Sequence, residues 1–414
     1  MLDSVQNTGL RIATGAFRSS PINSLYVDAG EPPLDLRRQQ LDLIYFVKII
    51  SAINHPINEL FPNRQILNQQ QIDLTKRTPF TVRVFTLLLS LSIEIPTLQE
   101  TVIPSSCPWG FPSPKLWLSL SRLPKNNTPL YRYKYKFLRL QHKLGDADFI
   151  YTGGSKNYSG VGASIVCNDH QYLFSLSQIC SSYTAKMVAI NKSLNVFHPT
   201  KQKLVICTDS LSVLLSLGNI FSTNPLNQTI YYSLQSAIRN DISVFFAWVP
   251  GHCGIAGNEL ADREAKMAIA EGIQYREVPV DDFIAFIKHK IKFKWRQTWE
   301  NVSNNKLREI GRNVSPWISS TRDVRKEEVI LTRIRIGHTR LTHDYLMARD
   351  PPPLCQTCGT ELTVKHILTE CRAYNTIKSL YNIPDDLHSI LQDNKLTIDR
   401  LFKFLHHSKL YHKI

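Results

Sequence analysis

The run W-V-P-G-H-C-G-I-A-G-N-E-L-A-D at residues 248–262 decides how the rest of the chain is read. It joins three local signals. Residues 242–248 are apolar and aromatic, as a buried strand requires. Pro250-Gly251 then turns the chain and sets His252 on a loop. Beyond the loop, residues 257–270 carry the spacing of a helix, with Asp262 on it. Taken alone, a histidine after Pro-Gly is an ordinary loop residue, and Asp262 an ordinary solvated position.

Working outward, the preceding segment has mixed α/β character. Residues 149–152, 161–167 and 172–176 read as three short strands, and residues 182–194 as a helix with Ser or Thr near its start. Another apolar strand follows at 204–208, then helical stretches at 211–217 and 227–238.

Further segments fall in order around the opening run: I-Y-T-G-G-S-K at 150–156, S-Y-T-A-K-M-V-A-I at 182–190, T-D-S at 208–210 and L-A-D-R-E-A-K at 260–266. Together they resemble the ribonuclease H domain of jockey-type non-LTR retrotransposons. The resemblance implies an α/β, RNase H-like fold over residues 145–272, with a mixed five-stranded sheet and helices. It also implies metal-dependent endonucleolytic cleavage of the RNA in RNA–DNA hybrids. In that family four carboxylates hold two Mg2+ ions, one activating water and the other stabilising the leaving oxygen. Their positions map here to Gly153, Lys186, Asp209 and Asp262. His252 falls where the family places a mobile histidine that assists water activation or product departure.

Two of the four acids are therefore replaced. The family shows T-D-G-S where Gly153 stands and A-E-L where Lys186 stands. Asp148 lies five residues from Gly153, and an odd offset along a strand turns it to the other face. Residues 180–197 contain no Asp or Glu. Glu259 is near Asp262 on its helix, at a position outside the catalytic four. An ammonium at Lys186 repels divalent cations and instead pairs with Asp209 or Asp262. The expectation is weak magnesium binding at Asp209 and Asp262 and impaired cleavage. Gly153→Asp with Lys186→Glu should restore activity if the fold is intact.

Composition agrees with a polyanion partner. The chain has 414 residues, with 49 Lys and Arg against 34 Asp and Glu, a net charge of +15. Neutralising phosphates releases condensed counterions, so such an excess favours nucleic acid. No apolar-cored leader opens the sequence, and the most apolar run, residues 84–93, is short of the ~20 residues of a spanning helix. It reads as a buried strand or helix. Of the eight cysteines, five are scattered and three cluster near the end. That suits a reduced, intracellular protein of nucleus or cytoplasm, not secreted, with no transmembrane segment and no small-molecule cofactor.

Two segments flank the central one. Residues 1–144 read as a mainly helical connection segment, with Val5, Leu10, Ile12 and Leu41, Leu43, Ile44, Phe46, Val47, Ile49 and Ile50 as core-facing stripes. Residues 102–114 read as loop, and 131–136 (Y-R-Y-K-Y-K) as a strand with rings on one face and cations on the other. Those rings serve either a core or a nucleic-acid contact. Residues 2–21 resemble the stretch that follows reverse transcriptase in these elements. No paired-aspartate polymerase turn occurs, and Tyr26-Val27-Asp28-Ala29 reads as a loop.

Residues 273–414 read as a basic helical region with a small zinc module. Cys355 and Cys358 have C-x2-C spacing, followed by His366 and Cys371. Three thiolates and one imidazole suit tetrahedral Zn2+, and a closed ligand set is structural. The bland alternative is buried thiols beside an unrelated histidine. Arg333, Arg335 and Arg340 are candidate phosphate binders, and His338 and His343 packing or phosphate-facing residues. The alternative to a hybrid nuclease is a non-catalytic nucleic-acid-binding protein, or a decayed reading frame.

Overall fold

The computed structural model describes residues 2–52, 54–60, 79–101, 107–124, 127–167, 170–197, 199–222, 224–311 and 313–414. They form two compact units, Leu43–Ile287 and the pair of segments Met1–Asp42 with Lys288–Ile414. In chain order the main elements are α1 (Leu2–Thr14), α2 (Ile22–Ala29), α3 (Leu34–Ser51), α4 (Phe80–Ser90), β1 (Lys115–Trp117) and α5 (Leu130–Leu144). Then come β2 (Asp148–Lys156), β3 (Val161–Cys167), β4 (His170–Leu176), α6 (Ser182–Val196), β5 (Lys203–Thr208), α7 (Leu211–Leu217), α8 (Pro225–Arg239) and β6 (Ser243–Trp248). They are followed by α9 (Ala256–Glu271), β7 (Ile273–Tyr275), α10 (Val280–Glu300), α11 (Lys306–Ile310) and α12 (Arg325–Ile336).

The unit Leu43–Ile287 is built on one sheet in the order β1-β6-β5-β2-β3-β4-β7. β2, β3 and β4 are antiparallel neighbours, whereas β5 runs parallel to β2 and β6 parallel to β5. The expected five strands are the centre of this sheet. β1 and β7 extend it at the two edges, each three residues long and too short for a periodic signal in sequence.

Every residue of β3 is buried, which explains its unbroken run of small and apolar side chains. Consecutive glycines on β2 show what covers the two faces. A Cβ on Gly154 would meet Lys186 of α6, and one on Gly153 would meet Ala261 of α9. Successive strand residues point oppositely, so α6 and α9 lie on opposite faces of the sheet. α9 approaches by its backbone: a Cβ on Gly162 would sit 2.9 Å from the Ile269 nitrogen. Glycine is what permits such contact.

α6 starts where Ser181 Oγ accepts from the Thr184 amide, and α8 where Asn224 caps and Pro225 follows. Asp282 Oδ2, on α10, accepts from the Ser181 amide at 2.9 Å and from Thr184 Oγ1 at 2.6 Å. β7 and the start of α10 are thereby tied to the sheet, and the limits read from composition, 144 and 272, both fall inside this unit.

Residues 131–136 are helical, not a strand. Tyr133, Phe137, Leu140 and Leu144 of α5 are buried at helical spacing and pack with Val205, Cys207, Ala247, Val249, Cys253 and Ile255. Six residues of alternation were too few to outweigh the longer period. Tyr26–Ala29 likewise ends α2, not a loop: Leu25, Tyr26 and Val27 are buried, and Gly30 at φ 68° terminates the helix. The apolar stripe read on α1 is not core-facing, since Val5 is 64% and Ile12 75% exposed. On α3, Leu43, Phe46, Val47 and Ile49 are buried, whereas Leu41 is exposed. Residues 84–93 fall on α4 and just beyond it. Of the expected loop 102–114, residues 102–106 lie outside the described residues.

In the other unit, α2 meets α12 through Thr332 Oγ1, which donates to the buried Asp28 Oδ2 at 2.8 Å. A second core gathers Ile330, Ile334, Leu391, Ile398, Leu401 and Phe404. Arg335 belongs to this interior and does not face phosphate. It is fully buried, donates to Leu391 O, Ser319 Oγ and Ser320 Oγ, and lies 4.2 Å from the Trp317 ring centroid. Among the described residues no helix is long and apolar enough to cross a membrane.

Candidate functional site

The end of β5, the first turns of α6 and α9, and the loop after β6 converge on Asp209, Lys186, Asp262 and His252. Asp209 leaves the C-terminal end of β5, and Trp248 Nε1 donates to its backbone carbonyl at 3.0 Å. Lys186 Nζ lies 2.8 Å from Asp209 Oδ1, with the two side chains 18% and 20% exposed. Asp209 Oδ2 and Asp262 Oδ2 lie 3.5 and 3.9 Å from the place a Cβ on Gly251 would take, so both carboxylates face one spot. Burial raises the pKa of Asp262, and Asp209 raises it further, against the charges of Lys186, His252 and Lys266.

Gly153 is at the same site but has no room to grow. A Cβ there would overlap the Ala261 carbonyl and lie 2.7 Å from Ser164 Oγ. Ser164 Oγ also donates to that carbonyl at 2.6 Å, pinning α9 to β3. Sequence reading missed Ser164, for it sits in no motif. Asp148 is turned away, as the strand offset requires: it is buried and accepts from the Thr200 and Lys201 amides at 2.7 and 3.1 Å.

The loop holding His252 is anchored by the residues that follow it. Cys253 and Ile255 enter the core beneath α5. Glu259 Oε1 accepts from the Gly254 amide at 2.7 Å, so this carboxylate serves the loop. His252 is exposed and adopts φ 59°, a left-handed conformation uncommon outside glycine.

A pair of magnesium ions needs several carboxylate oxygens in near-octahedral arrangement. Two carboxylates are present, one of them engaged by an ammonium, and the position of a third is filled by helix backbone. These residues do not fit a metal pair.

The second expected site is assembled in the unit containing the C-terminal segment. Cys355, Cys358, His366 and Cys371 each offer a donor atom, all within 4.8 Å of one another. Cys355 Sγ and Cys371 Sγ are 3.7 Å apart. Gly359 at φ 71° shapes the turn after the C-x2-C pair, and one π-helical turn, His366–Glu370, presents the imidazole. His366 Nδ1 lies 3.3 Å from Thr360 Oγ1, while Nε2 is buried without a hydrogen-bond partner. Three thiols around an orphaned imidazole nitrogen fit a tetrahedral Zn2+, which these four side chains would hold.

His338 and His343 are absent from that group. Their rings stack at 3.8 Å, and Lys306 Nζ is 3.1 Å from His343 Nε2. They pack, as one of the two readings expected. Arg333 Nε donates to Gly15 O and Nη1 to Ile414 O.

Residues 146–270 match the family model for RNase H. The Pol polyprotein of equine infectious anemia virus, strain Wyoming, is 34% identical over 144 residues, covering 32% of this chain and 12% of the viral protein. The Pol polyproteins of isolates 1369 and CL22 are each 33% identical over the same extent. The chain thus spans about an eighth of the length of these relatives, 12% in each case. The sheet order, the family match and this identity agree: residues 146–270 form an RNase H domain homologous to that of retroviral Pol polyproteins.

Proposed function

We propose that this domain binds RNA–DNA hybrids and has lost most of the family's power to cleave them. The observation that carries the reading is the Lys186–Asp209 ion pair, an ammonium placed where a catalytic divalent cation would need ligands. An ammonium at 2.8 Å from Asp209 neutralises it without polarising a phosphodiester oxygen as a metal does. Hybrid recognition depends on shape and on phosphate and 2′-hydroxyl contacts, which do not require the metal pair. The net charge of +15 supports retention of such binding.

The test uses a labelled hybrid. Binding is expected at low salt, undiminished when Mg2+ is left out and weakened by added salt, with little or no turnover in Mg2+ or Mn2+. Robust cleavage that disappears in Asp209→Asn would overturn the reading.

The remaining features are consistent with an origin in a jockey-type non-LTR retrotransposon, in which the RNase H segment joins a zinc-stabilised C-terminal module. The C-x2-C, His and Cys cluster supports the zinc assignment. No disulfide joins the described cysteines, which suits a reducing compartment.

A further inference from the structure

We infer that the outer face of α5 is a second nucleic-acid contact, which takes a single-stranded extension of the hybrid. The inference rests on hybrid binding by the adjoining site and adds a partner for a surface that reading leaves unused.

α5 reads L-Y-R-Y-K-Y-K-F-L-R-L-Q-H-K-L and contains no acidic residue. Its buried side is Tyr133, Phe137, Leu140 and Leu144. At 3.6 residues per turn, Tyr131, Tyr135, Leu138 and His142 fall on the opposite side. These are exposed, with Tyr131 at 74%, Tyr135 at 60% and Leu138 at 52%. Arg132, Lys136, Arg139 and Lys143 line one flank of that stripe, and Lys134 the other. Among the described residues no carboxylate pairs with Arg132, Lys134, Lys136 or Arg139. Solvated helix faces mix charges of both signs; this one alternates unpaired cations with outward rings.

Place and chemistry select the occupant. Phe149, Tyr151 and Gly153 alternate onto one face of β2, so α5 shares the face of α9. The buried side of α5 also packs on Cys253 and Ile255, the residues that anchor the loop of His252. A strand leaving the hybrid at that loop therefore meets α5 next. Cations tracking a backbone, interleaved with rings, suit single-stranded nucleic acid, because unpaired bases offer faces for stacking and a duplex does not.

The test is fluorescence anisotropy on the full chain. The probes are a blunt hybrid, the same hybrid carrying an oligothymidine extension of about eight nucleotides, and the free oligothymidine strand, with phosphatidylserine vesicles as a fourth arm. The extension is expected to tighten binding about tenfold, as stacking of one or two bases would. Tyr131→Ala with Tyr135→Ala should erase that gain and leave the blunt-hybrid affinity within about twofold, while the two Phe replacements keep it. Arg132→Gln with Arg139→Gln should lower the salt slope on the extended probe by about 1. All four positions are exposed, so thermal melts of the variants should match the parent.

No gain from the extension, or a gain that survives the double alanine variant, would overturn the inference. So would vesicle binding lost in these variants while the response to the extension is intact, since the face would then be a membrane contact. A chain that ignores the blunt hybrid yet binds the free strand through Tyr131 and Tyr135 would refute hybrid binding and leave this contact standing.

Discussion

Lys186 on α6 and Asp209 after β5 form an ion pair of 2.8 Å, with about a fifth of each side chain in water, 18% and 20%. Removing the ammonium leaves two carboxylates facing each other. Lys186→Met should therefore destabilise the domain by about 1–3 kcal/mol, less than a fully buried pair because solvent screens part of it. Millimolar Mg2+ should raise the melting temperature of the variant and leave that of the parent unchanged. An equal shift in both proteins would show that the pair does not exclude the cation.

At Gly153 the obstacle is steric. Gly153→Ala should cost about 1–3 kcal/mol, because the new methyl overlaps the Ala261 carbonyl and α9 must shift. The geometry alters an expectation from the motif alone: Gly153→Asp with Lys186→Glu supplies the missing acids but strains the packing that holds Asp262. Chemical denaturation of the variants checks this, and a Gly153→Ala protein as stable as the parent would refute it.

The Cys355, Cys358, His366 and Cys371 group should bring down one Zn2+ per chain on purification, measured by elemental analysis. Cys371→Ser, or a strong chelator, should release the ion and lower stability, since Val364, Ile367 and Leu368 of the second core flank His366. Metal-free protein with an unchanged melting curve would rule out a structural site.

Acid should weaken the unit that holds His338 and His343. Burial, with help from His343 and Lys306, pushes His338 down from 6.5 to about 3, and burial with help from Lys306 pushes His343 down to about 4. The unfolded chain then takes up protons first. Both histidines contribute stability that is intact above pH 6.5 and declines as pH falls toward 4 and then 3. The urea midpoint should be lower at pH ~5 than at pH ~7.5, with a smaller difference in His338→Asn/His343→Gln. A difference of unchanged size in that variant would place the acid sensitivity elsewhere.

The centre of the sheet and the helices at 182–196, 211–217, 225–239 and 256–271 were legible because each carries a period or a cap that local chemistry dictates. The partnership of Lys186 with Asp209 was legible as one of two options, since charge alone did not choose between Asp209 and Asp262. Other features were not. Arg335 looked like a surface cation, because nothing local reveals that Ser319, Ser320 and Trp317 enclose it. The lack of space at Gly153 depends on Ala261, over a hundred positions away, and no window of sequence contains both. In α5, burial at 133, 137, 140 and 144 set the helix over a conspicuous but shorter alternation.

One unit of this molecule is assembled from Met1–Asp42 and Lys288–Ile414, with the other encoded between them. On the ribosome the first of these segments emerges long before the second. At roughly 5–20 residues per second, α2 waits on the order of 15–60 s for α12, its buried Asp28 without Thr332 and its apolar side uncovered. The intervening RNase H domain can close on itself meanwhile. Nascent chains of this protein should thus depend on chaperones at α2, and protease sensitivity there should persist until α12 has emerged.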